Sequence, residues 1–240
     1  MNLFLLKSVK KYGIILIYNL FGGDIVALYE DTIGVICEEC YHVFYKEFHV
    51  YNVTNTDYSG GFNEQLVSGK LNKVTCPKCK AAFTFERPHL AYSLKKSYAV
   101  YGICDPSVRR MTSGRWRMYD LMKVKDMKFR LTDYLCEVSE KVKIFDAKLD
   151  DIAIEILKHK NFPQKYFEDK ANYNLLFAGI DNENMIFEYI HSTGKVIETH
   201  KIPMSEYQPT SGEYEPPYRE DGYILWTKID NQYIKEIYHE

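Results

Sequence analysis

Cysteine is the residue type in this chain whose spacing can do chemistry. Four of the six cysteines fall in two pairs, Cys37-Glu38-Glu39-Cys40 and Cys76-Pro77-Lys78-Cys79. A C-x-x-C turn lets two thiolates reach one tetrahedral ion at about 2.3 Å, and two such turns close a four-cysteine shell, the usual structural zinc site. Two other chemistries use the same residues. Disulfides form in secreted chains, and a redox C-x-x-C wants a thioredoxin-like setting with a helix opening after its first cysteine. The local spacing and the lack of a convincing leader weigh against disulfides, and Pro77 with its strand-like flanks weighs against the redox pair. Zinc is therefore the expected cofactor, held by Cys37, Cys40, Cys76 and Cys79. A four-cysteine shell leaves no open position for water, so the ion is expected to hold structure and do no chemistry. Cys104 and Cys136 stand alone and read as small buried hydrophobes. His42, two residues after Cys40, reads as a ring packed beside the turn, with a ligand role as the alternative.

The pairs are separated by 35 residues, more than the roughly 15–20 of the compact pattern, so the intervening segment must carry structure of its own. Residues 41–53 read as a strand pair or one long bent strand, and 63–71 as a short helix ended by Ser68-Gly69. Upstream, Lys7, Lys10 and Lys11 precede the apolar run 13–18, a faint echo of a secretory signal. The run is short and Asp24, Glu30 and Asp31 follow it, so residues 2–29 are expected to form strands or a short helix packed on the first domain. Apolar stretches fall far short of the roughly 20 residues that a membrane helix needs. The expectation is a cytoplasmic protein with no membrane insertion.

These residues resemble a bacterial and archaeal family, the CpXC-domain proteins, named for paired cysteine motifs. Cys37–Cys40 corresponds to the first motif and Cys76–Cys79 to the second. Phe62 to Leu71 looks like the helical insert ending in a Gly turn, Glu86 to Tyr92 like the Pro-containing strand that follows, and Glu140 to Asp151 like a segment found downstream in longer members. The likeness spans roughly residues 33–160. Glu38 stands where the family usually has Pro, and Tyr41 and Lys80 stand where a Gly commonly follows each pair. The resemblance implies a zinc-ribbon-like domain, and it brings no catalytic residues.

Beyond residue 131 the pattern changes. Thr132 to Lys143 reads as a helix with Thr132 as its N-cap, and Asp150 caps a second helix that Pro163 stops. Residues 173–180, 185–192 and 195–202 alternate like strands joined by two hairpin turns, and 223–229 supplies a last strand before a terminal helix. The expected fold class is α+β: a β-rich zinc-ribbon-like domain over 1–130, then an acidic domain over 131–240 with two helices and a mostly antiparallel sheet. Asp150 and Asp151 point about 100° apart on a helix and suit capping better than shared catalysis. His191 and His200 have no nucleophile tied to them by spacing, and no phosphate loop, H-E-x-x-H or G-x-S-x-G occurs. No active site is legible, and the reading leans to a non-enzymatic protein, with a hydrolase whose site is assembled from residues far apart in sequence as a further alternative.

Charge supplies the remaining clue. With 46% hydrophobic and 27% charged residues the chain has a globular balance, and its 21 Tyr and 13 Phe lean towards sheet. Residues 1–130 carry 19 basic against 12 acidic side chains, net +7, whereas 131–240 carry 12 against 21, net −9. Mutual attraction of the two halves accounts for this simply. Nucleic acid is the alternative, with Arg109, Arg110, Arg115, Arg117, Lys123, Lys125 and Arg130 as contacts and Trp116 and Tyr119 as stacking rings. Alternation along Arg115-Trp116-Arg117 would turn Trp116 to the core, which disfavours that alternative. The leading expectation is a binding or regulatory protein whose structural zinc supports docking of a protein partner.

Overall fold

The computed structural model describes residues 13–17, 26–37, 39–51, 53–59, 61–86, 88–102, 126–210, 212, 214, 219–220, 223–224 and 226–239. Cys104 and the basic contacts Arg109, Arg110, Arg115, Arg117, Lys123 and Lys125 lie outside them, as do Trp116, Tyr119 and most of residues 2–25.

Strands β1 (Gly13–Ile17), β2 (Val26–Ile36) and β3 (Val43–Tyr51) form an antiparallel sheet in that order. Residues 41–53, expected as a strand pair or one long bent strand, hold two strands that lie in different sheets. β3 pairs with β2, and one residue later β4 (Val53–Asn55) joins β7 (His89–Ser93) in parallel. Helix α1 (Gly61–Val67) follows, and Gly69 adopts φ +66°, the left-handed turn that ends such a helix. β5 (Lys73–Thr75) and β6 (Ala82–Thr84) make a second antiparallel hairpin.

A four-stranded sheet, ordered β4-β7-β8-β9 with β8 (Tyr98–Gly102) and β9 (Lys128–Thr132), forms the middle of the molecule. It is mixed: β7 and β8 are antiparallel, β8 and β9 parallel. Both its faces are buried, so β7 reads as an unbroken buried run and not as an alternation. On one face Ala91, Tyr98 and Val100 meet Leu66, Leu71, Leu135, Val138, Val142 and Phe145. On the other, Leu90, Tyr92, Ala99, Met127 and Phe129 pack together, with Trp226 against them.

Helix α2 (Leu135–Asp146) lies on this sheet, and α3 (Asp151–Asn161) follows it. Asp150 caps α3 as its sequence suggests, its Oδ1 accepting from Ile152 N at 3.0 Å. Thr132 does not cap α2. It ends β9, and α2 starts three residues later, where Glu137 Oε2 accepts from Asp133 N (2.8 Å) and Tyr134 N (3.2 Å). The boundary expected after residue 130 thus falls inside β9, and α2 buries its apolar stripe against strands that precede it.

β10 (Tyr173–Asp181), β11 (Asn184–His191) and β12 (Val196–Pro203) form the expected antiparallel sheet, with a register shift between Phe177 and Gly179. Phe177, Met185, Phe187 and Ile202 cover Ile144, Ile154 and Leu157 of the two helices. The expected last strand over 223–229 is shorter. β13 (Arg219–Glu220) pairs with β14 (Tyr223–Ile224), and Thr227 alone makes a parallel bridge to Arg130. Helix α4 (Asn231–Tyr238) closes the described chain, capped by Asp230. With helices and antiparallel sheets both present, the fold is α+β, and its N-terminal part is rich in strands.

A chain of buried ions joins these layers. Arg130 on β9 grips Asp151 on α3 with two bonds, Nε to Oδ2 at 2.8 Å and Nη2 to Oδ1 at 3.1 Å. Lys141 of α2 reaches Asp151 (3.4 Å) and Glu155 (3.1 Å). Lys158 then joins Glu155 and Glu140, both at 3.0 Å. The chain ends on β10, where Lys158 Nζ donates to Leu175 O (3.2 Å) and Glu140 Oε1 accepts from Phe177 N (2.6 Å). Three cations face three anions, all almost fully buried. Against the cost of burial, Arg130 and Lys141 hold the Asp151 carboxyl well below the usual carboxylate range. Burial pushes Glu140 up, against the pull of Lys158.

Removing one member leaves its partners charged and unpaired in the core. Asp151→Asn should cost about 3–5 kcal/mol of unfolding free energy at neutral pH, measured by denaturant titration. Because the folded Asp151 is depressed, its stabilisation is complete above the unfolded carboxyl pKa of about 4. It is lost as pH falls from there towards the folded value, so the gap between parent and variant narrows in acid.

Candidate metal centre

Each cysteine pair sits at the end of a hairpin, the first between β2 and β3, the second between β5 and β6. The two turns are built alike. Cys37 N donates to His42 O (3.0 Å) and Cys76 N to Ala81 O (2.8 Å). Tyr41 N donates to Cys37 O (2.8 Å) and Lys80 N to Cys76 O (3.0 Å). Pairing behind each turn forces this closure, with Val43 opposite Ile36 and Ala82 opposite Thr75. The residue after each pair takes a left-handed conformation, Tyr41 at φ 55° and Lys80 at φ 64°. Gly is the cheap residue there, since a side chain costs about 1–2 kcal/mol.

The turns meet. All four sulfurs lie within 4.8 Å of one another, with Cys37 Sγ 3.5 Å from Cys79 Sγ and Cys40 Sγ 3.7 Å from Cys76 Sγ. A tetrahedron with arms of about 2.3 Å has edges of about 3.8 Å, so this donor set fits a zinc-sized ion bound by thiolates. Cys37 and Cys76 are buried, Cys40 half-buried and Cys79 exposed. Against burial, the backbone N–H groups of Cys79 and Lys78 bring the Cys76 thiol down to about 6. The Ala81 N–H favours the Cys79 thiolate, yet burial and hydrogen bonds shared with the other three sulfurs push that thiol up to about 12. Four thiolates this close would repel one another, and a divalent cation among them would remove the conflict.

Around the sulfurs the apolar support is small. Val35, Val74 and Phe85 are buried, with Phe44 and Phe83 packed against them. His42 belongs to this packing and not to the sulfur cluster, its ring stacked on Phe44 at 6.1 Å with 14° between planes. Cys136 is half-buried on α2, and burial together with Glu137, Glu86 and Glu140 pushes its thiol up.

The structure takes Arg130 out of the proposed basic surface: the residue is 1% exposed and its guanidinium is bound to Asp151. His191 and His200 sit on adjacent strands but face other residues in the register, Tyr173 and Phe187. His191 Nδ1 meets Thr193 Oγ1 at 2.9 Å, and His200 Nε2 meets Glu198 Oε2 at 3.1 Å. Sequence reasoning missed the roles of Glu140, Lys141, Glu155 and Lys158, whose one signal was charge placed on helix faces that must also pack.

Two hairpins that bring four cysteines to one point, set on an α+β body, define a cysteine-cluster protein with a possible metal site. The family model described as CpXC protein matches residues 35–158, just over half of the chain, and the chain belongs to that family. The match begins in β2, takes in both cysteine turns and the central sheet, and ends at Lys158. No curated protein and no solved structure matches the chain. Among the described residues no helix is long and apolar enough to cross a membrane.

Strain and thiol chemistry both give tests here. Tyr41→Gly and Lys80→Gly should each raise stability by about 0.5–1 kcal/mol, the relieved strain less the entropy glycine adds to the unfolded chain. Thermal unfolding measures this. In the folded protein Cys136 should react with iodoacetamide at neutral pH far more slowly than a free thiol, since little of it is thiolate. Peptide mass spectrometry reads that rate.

Proposed function

We propose that this is a non-enzymatic binding or regulatory protein of the cytoplasm. Its Cys37, Cys40, Cys76 and Cys79 hold one structural zinc ion in a ribbon-like tip, and the folded body docks a protein partner. The convergence of the four sulfurs to within 4.8 Å carries this reading. The five apolar residues behind the turns are too few to hold two hairpins together alone, so ion binding would supply folding free energy for that region. The non-enzymatic part draws support from the way the buried ionisable groups satisfy one another, Asp151 with Arg130 and Glu140 with Lys158.

The test is elemental analysis of protein purified without added metal. One zinc per chain is expected, with release on chelation and loss of both metal and solubility in Cys37→Ser. Because thiolates are the ligands, zinc affinity should fall as pH is lowered. Protein that holds no thiophilic metal, or that carries Cys37–Cys40 as a disulfide when isolated unreduced, would end the reading.

A further inference from the structure

At the sulfur tip, two tyrosines are displayed instead of packed. Tyr41 is 78% exposed and Tyr45 69%, with Val43 at 42% between them. Val43 and Tyr45 point away from the face on which Phe44 joins the small core, as strand alternation requires. Tyr45 lies over Gly34 of β2, its Cε1 3.3 Å from where a Cβ would stand, so one face of the ring is seated on backbone while the residue stays open to solvent. Tyr41 holds its ring out from a left-handed position that glycine would occupy without strain. A side chain kept at such a cost, in water, is stabilising nothing that the fold shows.

The hairpin opposite supplies charge. Residues 70–84 contain Lys70, Lys73, Lys78 and Lys80 and no acid. All four are exposed. Lys78 and Lys80 belong to the cysteine turn itself, beside the sulfurs that Tyr41 also adjoins, and neither makes an ion pair within the described structure. Exposed rings on one cysteine turn and its strand, with lysines that make no ion pair on the other turn, are what a single nucleic-acid strand uses, bases on the rings and phosphates on the lysines. Duplex bases offer no such faces, and an interface with another protein would be expected to be depleted in lysine.

We infer that the metal tip is a binding surface for single-stranded nucleic acid, with Tyr41 and Tyr45 as stacking residues and Lys78 and Lys80 as phosphate contacts. This surface differs from the 109–130 stretch and uses none of its residues. It rests on the closed tip proposed above, and metal content is therefore measured on the same samples. The full chain is titrated with a labelled oligodeoxythymidylate of about fifteen nucleotides, within the span that one such site covers. Tyr41→Gly and Tyr45→Ala should each weaken binding about tenfold, and Tyr41→Gly should do so while raising thermal stability. That opposition of signs is one a purely structural tyrosine would not produce. Lys78→Gln with Lys80→Gln should flatten the salt dependence by about 1.4, near 0.7 for each phosphate of a single strand that is no longer neutralised. No binding at low salt, binding untouched by the tyrosine variants, or equally tight binding of polyglutamate or duplex DNA would overturn the inference. None of those results would bear on whether the four cysteines hold zinc.

Discussion

The ion chain from Arg130 to Phe177 is the contact on which the arrangement of layers depends. Buried ions are costly unless each finds a partner and a full set of hydrogen bonds. Here the partners come from β9, α2, α3 and β10, so the cost is met only when all four elements are in place together. Its far end has a second effect. β10 is an edge strand, and Lys158 and Glu140 meet Leu175 O and Phe177 N, as a donor and an acceptor of a neighbouring strand would. An edge blocked in this way cannot pair with a foreign strand at those positions.

The sulfur tip is organised on another principle. Its hairpins carry backbone ladders and three buried apolar side chains, against the nine that α1, Leu71 after it, α2 and the central sheet share. In place of a larger apolar core stands the convergence of four thiols, a possible metal site. The body is thus held by groups that satisfy one another, the tip by groups that need something more.

What could be read from the sequence follows from the range of each interaction. The C-x-x-C pairs, the Asp150 cap and the hairpin turns between β10, β11 and β12 are local, and each appeared where its residues put it. Arg130 was misplaced because nothing within a few residues marks it as buried; its partner Asp151 lies 21 residues away. The parallel pairings of β4 with β7 and β8 with β9 are joined by long connections and leave no turn signature. Thr132 satisfied every local rule for a cap, but β9 claimed it first through pairing with Gly102. The boundary after residue 130 came from a change of charge sign, and charge sign is a property of surfaces, whereas α2 is buried on both sides.

One connection carries these two principles into the behaviour of the whole chain. β3 passes into β4 through a single residue, so the tip hangs directly from the edge of the central sheet. β4 is held there by its own ladder to β7, and its buried Thr54 bonds His89 at 3.0 Å, independently of the sulfurs. Opening of the tip can therefore stop at β4. Amide hydrogens of β5 and β6 should then form a shallow cooperative unit, with protection that follows the free energy of holding the sulfurs together. Those of β7, β8 and α2, which share the larger core, should form a deep one that exchanges with global unfolding. The chain would then have two melting depths, and events at the cysteines would change the population of an opened form without unmaking the fold beneath it.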